Sequence, residues 1–183
     1  RSLYFLCSGA LKMSACAPDG EVQIVAFHMP GALLGFDGLS ANRYVCDVDA
    51  LMPSTVRALS VERLLLLARS MPEVLVDLLR LVSREATAFH KHAALLGRRN
   101  AMARLAAFLN GMSNGLARPL RDPDDLCLPM SRAELANYLG LAVETLSRLL
   151  SRLHRTGVVS VKRENVRLLD RRALNRLSAG TRT

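Results

Sequence analysis

The sequence predicts an α+β chain: an amino-terminal β jelly roll incomplete at its start, one long helix, and a winged helix-turn-helix at the carboxy end. Three observations predict it. Residues 1–60 hold short apolar or alternating runs set apart by Gly and Pro turns, the mark of a sandwich or barrel of short strands. After Pro72 no further Pro and no Gly occurs before Gly97, so one helix can run to Leu96. Residues 130–153, MSRAELANYLGLAVETLSRLLSRL, read as two short helices across a tight turn. The expected divisions are 1–70 for the β-roll, 71–99 for the long helix and 100–183 for the winged helix-turn-helix.

Strands are expected at 3–6, 10–14, 22–27, 32–35, 44–48 and 55–59, with Ser8-Gly9, Pro18-Asp19-Gly20 and Met29-Pro30-Gly31 as turns. Val61 to Arg69 reads as a short closing helix. Pro72 suits the first turn of the long helix. Along that helix Leu75, Leu78, Leu79, Val82, Ala86, Phe89, Ala93 and Leu96 recur at spacings of three and four. A small sandwich cannot cover so long a stripe, which makes it the expected seam of a homodimer. Packing along the helix's own domain is the alternative.

Gly97 breaks the helix, and Asn100 can cap another from Ala101 to about Met112, with Leu105, Ala106, Phe108 and Leu109 inward. Residues 114–129 read as a loop or extended connection. Ser131 and Glu134 then form an S-x-x-E capping box, with Ala133, Leu135, Ala136 and Leu139 apolar behind it. Gly140 stands where the chain turns sharply. From Val143 the second helix places Val143, Leu146, Leu149, Leu150 and Leu153 for burial and shows Glu144, Ser147, Arg148, Ser151 and Arg152 on the other side. That polar face is either solvated or a reader of DNA bases; its arginines can give bidentate contacts to guanine. Residues 158–161 and 166–169 read as two strands about the turn Arg163-Glu164-Asn165, a basic wing, and 170–177 as a last short helix.

Charge is segregated. Residues 1–96 carry nine Lys+Arg against nine Asp+Glu, whereas residues 97–183 carry sixteen against seven, so the whole net charge of +9 lies in the half with the helix-turn-helix. Phosphate binding requires that kind of concentration. No apolar run approaches the roughly 18 residues of a membrane span, and no export signal opens the chain, so a cytoplasmic location with no membrane partner is expected. The chain begins at Arg1 inside an expected strand and without an initiator Met, so a preceding segment is expected. Cys7, Cys16, Cys46 and Cys127 show neither a C-x-x-C pair nor zinc spacing, and reduced thiols are expected. His90 and His92 lie two apart on different faces; with His28 and His154 they read as surface or structural residues, and no metal site is expected. No Ser-His-Asp spacing and no phosphate-cradling glycine loop points to an enzyme.

With strands, long helix and winged helix-turn-helix in that order, the chain resembles the cyclic-AMP receptor and fumarate–nitrate reduction (CRP/FNR) superfamily of bacterial transcription regulators, and within it the fumarate–nitrate reduction branch. The residues that carry the resemblance are 131–153 and 156–170, with Phe27-His28, Gly31, Gly35-Phe36-Asp37, Met71-Pro72 and 104–109 upstream. It implies a cyclic-nucleotide-binding-like β-roll and a homodimer on double-stranded DNA. In that branch an E-x-x-S-R signature reads a TTGAT-like half-site, repeated as an inverted pair, and here it is Glu144, Ser147 and Arg148 on a recognition helix spanning 143–154. Ser131, Thr145, Arg152, Lys162 and Arg163 are the further expected DNA contacts. Ala142 departs from the Thr or Ser usual there, which removes a helix cap worth on the order of 1 kcal/mol.

The resemblance also bears on cofactors. Cyclic-nucleotide binders carry Gly-Glu and then Arg-Ser or Arg-Thr, where this chain has Gly35-Phe36-Asp37 and Arg43-Tyr44, so a cyclic nucleotide is not expected. Iron–sulfur members place a fourth cysteine where Arg57 stands, and Cys46 lies eleven residues earlier, which disfavours a cluster. The signal is left open among haem, nitric oxide, a redox thiol and none. Activation of transcription would require a contact with RNA polymerase, which no residue identifies. The alternative function is a ligand-binding or protein-interaction module without specific DNA binding.

Overall fold

A computed structural model of the chain describes residues 2–41, 43–98, 100–115 and 122–180. It resolves into two compact units, residues 1–92 and 93–183. The first is built on two three-stranded antiparallel sheets. One sheet has the order β4-β1-β6, from β1 (Ser2–Ser8), β4 (Leu33–Leu34) and β6 (Thr55–Ser60). The other has the order β3-β2-β5, from β2 (Leu11–Cys16), β3 (Val22–His28) and β5 (Asp47–Ala50). Alternation buries Leu3 and Leu6 of β1 and Leu11 and Met13 of β2, together with Ile24, Leu33 and Leu34. Among the described residues the helices of this unit are α1 (Gly38–Ala41), α2 (Val61–Ser70) and most of α3 (Glu73–Leu96).

Strand β5 starts later than the sequence suggests: Tyr44 and Val45 lie outside it and are exposed. Local polar contacts replace the ladder there, since Tyr44 Oη donates to the Ser2 carbonyl at 2.9 Å and Val45 N–H donates to Asp37 Oδ2 at 2.9 Å. Gly35, at φ +81°, turns the chain beneath them; a Cβ there would meet the Ser2 carbonyl oxygen and the Tyr44 ring, each at 3.2 Å. Met71 ends α2 as its C-cap, and the Pro72 carbonyl accepts from Leu75 and Val76 as α3 begins.

The apolar stripe of α3 divides. Leu75 and Leu79 are 44% and 60% exposed and Ala93 is exposed, whereas Leu78, Val82, Ala86, Phe89 and Leu96 are half-buried. Within the protomer Phe89 packs against the cluster of Leu6, Leu11, Met13 and Leu34 and meets Phe36 edge-on at 6.2 Å. Its aromatic area is drawn inward because the β-roll offers it an apolar partner within its own unit.

The second unit packs α4 (Ala101–Gly115), α5 (Arg132–Leu139), α6 (Val143–Arg155) and α7 (Arg171–Ser178) with a sheet of order β7-β9-β8, from β7 (Asp125–Cys127), β8 (Val159–Lys162) and β9 (Asn165–Leu168). Leu105, Leu109, Leu126, Leu139, Leu146, Leu153 and Leu174 are fully buried, and Phe108 meets Tyr138 edge-on at 5.6 Å. Asn100 caps α4, its Oδ1 accepting from Met102 N–H at 2.9 Å and Ala103 N–H at 3.4 Å. Strand β7 lies within the expected connection 114–129, of which 116–121 fall outside the described residues. It is a three-residue edge strand before Pro129, too short to register as a periodic pattern.

Candidate nucleic-acid interface

The capping box forms as the sequence requires. Glu134 N–H donates to Ser131 Oγ at 3.2 Å, and Ser131 N–H donates to Glu134 Oε2 at 2.8 Å. Gly140 closes α5 in the left-handed region at φ 60°, its N–H donating back to the Ala136 and Asn137 carbonyls. Leu141 N–H also reaches Ala136 O, at 2.9 Å. A three-residue turn therefore fixes where α6 starts. Ala142 gives that start no side-chain cap, and Glu144 in the first turn supplies the negative charge that the helix N-terminus favours.

Leu146, Leu150 and Leu153 bury one side of α6. Leu149 is half-buried, and Val143, 39% exposed, is not the core residue its spacing suggests. At the first position of a helix the side chain still follows the turn that precedes it. The opposite side presents Glu144, Ser147, Arg148, Ser151 and Arg152, all exposed. Arg148 lies back along the helix, with Nε 3.3 Å from the Glu144 carbonyl oxygen and Nη2 3.4 Å from Oγ1 of half-buried Thr145. Both are long contacts at an exposed site, so the guanidinium can swing outward at small cost.

After α6 the backbone returns at once: Val158 N–H donates to the Leu153 carbonyl at 3.0 Å and Val161 N–H to His154 Nδ1 at 3.3 Å. His154 is thereby a structural tie between α6 and the wing. Lys162 pairs with Asn165 across the hairpin, and the connecting Arg163, at φ 53°, is the one non-glycine residue with positive φ among those described. Lys162, Arg163 and Arg152 are exposed and, among the described residues, form no ion pair. Three other cations of this unit are engaged internally. Arg167 faces Asp122 at 3.8 Å and Asp125 at 3.6 Å, and Arg171 holds Asp124 and Ser113. Arg104 donates to the Arg98 and Gly140 carbonyls. Exposed cations without an ion pair among the described residues thus stand on α6 and the wing, and at Arg172 and Arg176 on α7.

One residue escaped the sequence reading. Arg132, first in α5, sends Nη2 to the Arg163 carbonyl at 2.8 Å and joins Ser131 and the wing turn in one cluster. A cation directly after a capping serine was the available signal, but its partner lies 31 residues away.

Residues 103–177 match the Crp-like helix-turn-helix domain, and residues 1–70 match the cyclic nucleotide-binding domain. The fumarate and nitrate reduction regulatory protein of Vibrio cholerae is 36% identical over 178 residues, 97% of this chain and 71% of that protein. Its Escherichia coli K12 counterpart is 36% identical over 182 residues, 100% of this chain and 73% of that protein. This chain belongs to the CRP/FNR family of transcription regulators. The solved structure of FixK2 from Bradyrhizobium japonicum superposes with a TM-score of 0.84 at 33% identity, covering 96% of this chain and 86% of that one. As a CRP/FNR member the chain is a DNA-binding regulator and not an enzyme. No helix among the described residues is long and apolar enough to cross a membrane.

The β-roll of this CRP/FNR chain encloses a cavity of about 520 Å³ lined by Tyr4, Leu34, Asp37, Tyr44, Cys46 and Asp47, among others. Among the described residues its lining includes two carboxylates and neither Lys nor Arg, a set that does not fit a cyclic phosphate. Burial raises the Cys46 thiol pKa, and the charges of Asp37 and Asp47 add to the rise, so Cys46 rests as a thiol and not as a reactive thiolate. Among the described residues no group of three or more His, Cys, Asp or Glu side chains could hold a metal ion, and Arg57 lies on β6 opposite Phe5.

Proposed function

We propose that this CRP/FNR regulator acts as a homodimer whose two α6 helices read a TTGAT-like inverted repeat. The observation that carries the reading is the two-sidedness of α6. Leu146, Leu150 and Leu153 anchor it, while Glu144, Ser147 and Arg148 stand exposed together opposite the core. Arg148 supplies donors for guanine O6 and N7, Glu144 accepts from a cytosine amino group, and Ser147 serves a base or a phosphate. Ser131, Thr145, Arg152, Lys162 and Arg163 supply backbone contacts or support, which position the helix without specifying sequence.

Two copies join along α3 through Leu75, Leu79, Val82, Ala86 and Ala93, with Leu78 and Leu96 at the margins. Within the protomer the divisions are 1–70, 71–99 and 100–183. A two-fold dimer sets the two recognition helices one helical turn of DNA apart, which an inverted repeat mirrors. The protein acts in the cytoplasm, where its DNA is, and RNA polymerase is its partner when it activates.

The test is a fluorescence anisotropy titration of the inverted repeat against a scrambled duplex over a range of salt. Specific binding should exceed non-specific binding by at least about 10³. Equal affinity for the two duplexes, or no salt dependence, would refute the assignment.

A further inference from the structure

The geometry points to Arg132 as a positioning residue that holds the wing tip, and with it Arg163, in place for the DNA backbone; this rests on the DNA-reading assignment above. The wing turn is intrinsically unfavourable. It has two residues, Arg163 and Glu164, between Lys162 and Asn165, and Arg163 takes a left-handed backbone that side chains other than Gly, Asn and Asp adopt rarely. Such a turn keeps one shape only if something outside it holds its polar groups. Two contacts do so. Glu164 O accepts from Leu128 N–H at 2.9 Å, and Arg163 O accepts from Arg132 Nη2 at 2.8 Å.

The first of these is backbone to backbone and survives any substitution. The second depends wholly on one side chain. Arg132 is well placed to supply it, because it is the first residue of α5 and the capping box of Ser131 and Glu134 fixes the backbone just before it. The guanidinium therefore reaches out from a rigid base, and a planar fork loses little further freedom on binding a carbonyl. The same bond ties the wing to the first helix of the helix-turn-helix, so the two backbone-contacting elements move as one body.

Arg132 could instead be an independent phosphate contact, and a double-mutant cycle separates the two roles. Arg132→Met, Arg163→Met and the double variant are each titrated with the inverted repeat across salt. Each lost phosphate contact lowers the salt slope by about 0.9. If Arg132 positions Arg163, each single variant loses one contact per protomer and lowers the dimer's slope by about 1.8, and the double variant lowers it by no more. A drop of about 3.6 in the double variant, with the two losses multiplying, would overturn the proposal. Amide hydrogen exchange on the DNA-free protein gives a second readout. Arg132→Met should speed exchange at residues 163–165 roughly fivefold, the factor for one net hydrogen bond, and leave α5 and α6 protected. Unchanged exchange at the wing turn would overturn the clip whether or not DNA binds. A wild-type protein that binds no duplex would sink the DNA reading, and the exchange result would still decide the clip.

Discussion

Replacing Arg148 by Ala separates base reading from general attraction to DNA. In the free protein the guanidinium makes only the two long contacts to Glu144 O and Thr145 Oγ1, at 3.3 and 3.4 Å. Giving these up for DNA costs less than the ~1 kcal/mol net value of a good hydrogen bond. A bidentate contact to guanine is worth about 1–3 kcal/mol of discrimination. A two-fold dimer loses that contact twice, so the inverted repeat should weaken by about 2–6 kcal/mol, or roughly 30-fold to above 10⁴-fold. A duplex with one intact half-site should lose half of that free energy. The scrambled duplex should change only by the loss of one positive charge per protomer, which moves its salt slope slightly. The assay is competition anisotropy with all three duplexes at matched salt. Equal weakening on the inverted repeat and the scrambled duplex would refute direct readout by Arg148.

Three further outcomes are expected. Leu79→Glu, at a site 60% exposed in the protomer, should leave the fold intact and shift sedimentation toward monomer; an unchanged dimer would move the seam off this face. Phe89→Asp should instead unfold the β-roll, because Phe89 packs on its core, and a folded, monomeric Phe89→Asp protein would contradict that packing. Ala142→Ser should restore the missing cap of α6 and add about 1 kcal/mol, read as a rise of about 2–4 °C in Tm; no rise would mean that the N-terminus of α6 is already satisfied. His28 should make stability fall with acid. Burial lowers its pKa from 6.5 to about 4, so the unfolded chain takes the proton first. Its contribution is complete above pH 6.5, is lost as pH falls toward 4, and amounts to no more than about 3 kcal/mol. Glu85, 3.6 Å away, offsets part of this: burial raises its pKa, so its own contribution grows as pH falls. Urea unfolding of the β-roll, followed by exchange of the β3 amides, should lose this acid dependence in His28→Gln; equal slopes for the two proteins would rule it out.

What was legible in the sequence was whatever a short period or a local cap encodes. The Ser131–Glu134 box, the Gly140 turn, the Asn100 cap and the Leu146–Leu150–Leu153 anchor all depend on residues within a turn or two of one another, and each forms. The exposed polar side of α6 was readable for the same reason, as the complement of its buried side. Periodicity could not tell which of two partners an apolar stripe meets. The α3 stripe borders both solvent and the β-roll, and the pull of Phe36 and the Leu6 cluster on Phe89 crosses more than fifty residues. Strand β7 was hidden because its pairing with β9 joins Leu126 to Val166 across a long separation. Arg132 escaped for a similar reason: its role is defined by a carbonyl, and carbonyls carry no sequence signal.

The two ends of this CRP/FNR chain stand differently toward their family. Reading DNA needs donors and acceptors at fixed spacing on one helix, and in the proposed function Glu144, Ser147 and Arg148 supply them from a leucine-anchored element. Binding a cyclic nucleotide needs a cation or a set of converging N–H groups where the phosphate would lie. The β-roll cavity instead brings Asp37 and Asp47 to its wall, beside a thiol that their charge helps to keep protonated. At an effective dielectric constant of about 20, a carboxylate 4 Å from a phosphate costs about 4 kcal/mol, enough to cancel micromolar affinity down to millimolar. A shared fold does not carry ligand chemistry with it. Among its described lining residues this cavity favours a neutral or cationic occupant over an anionic one.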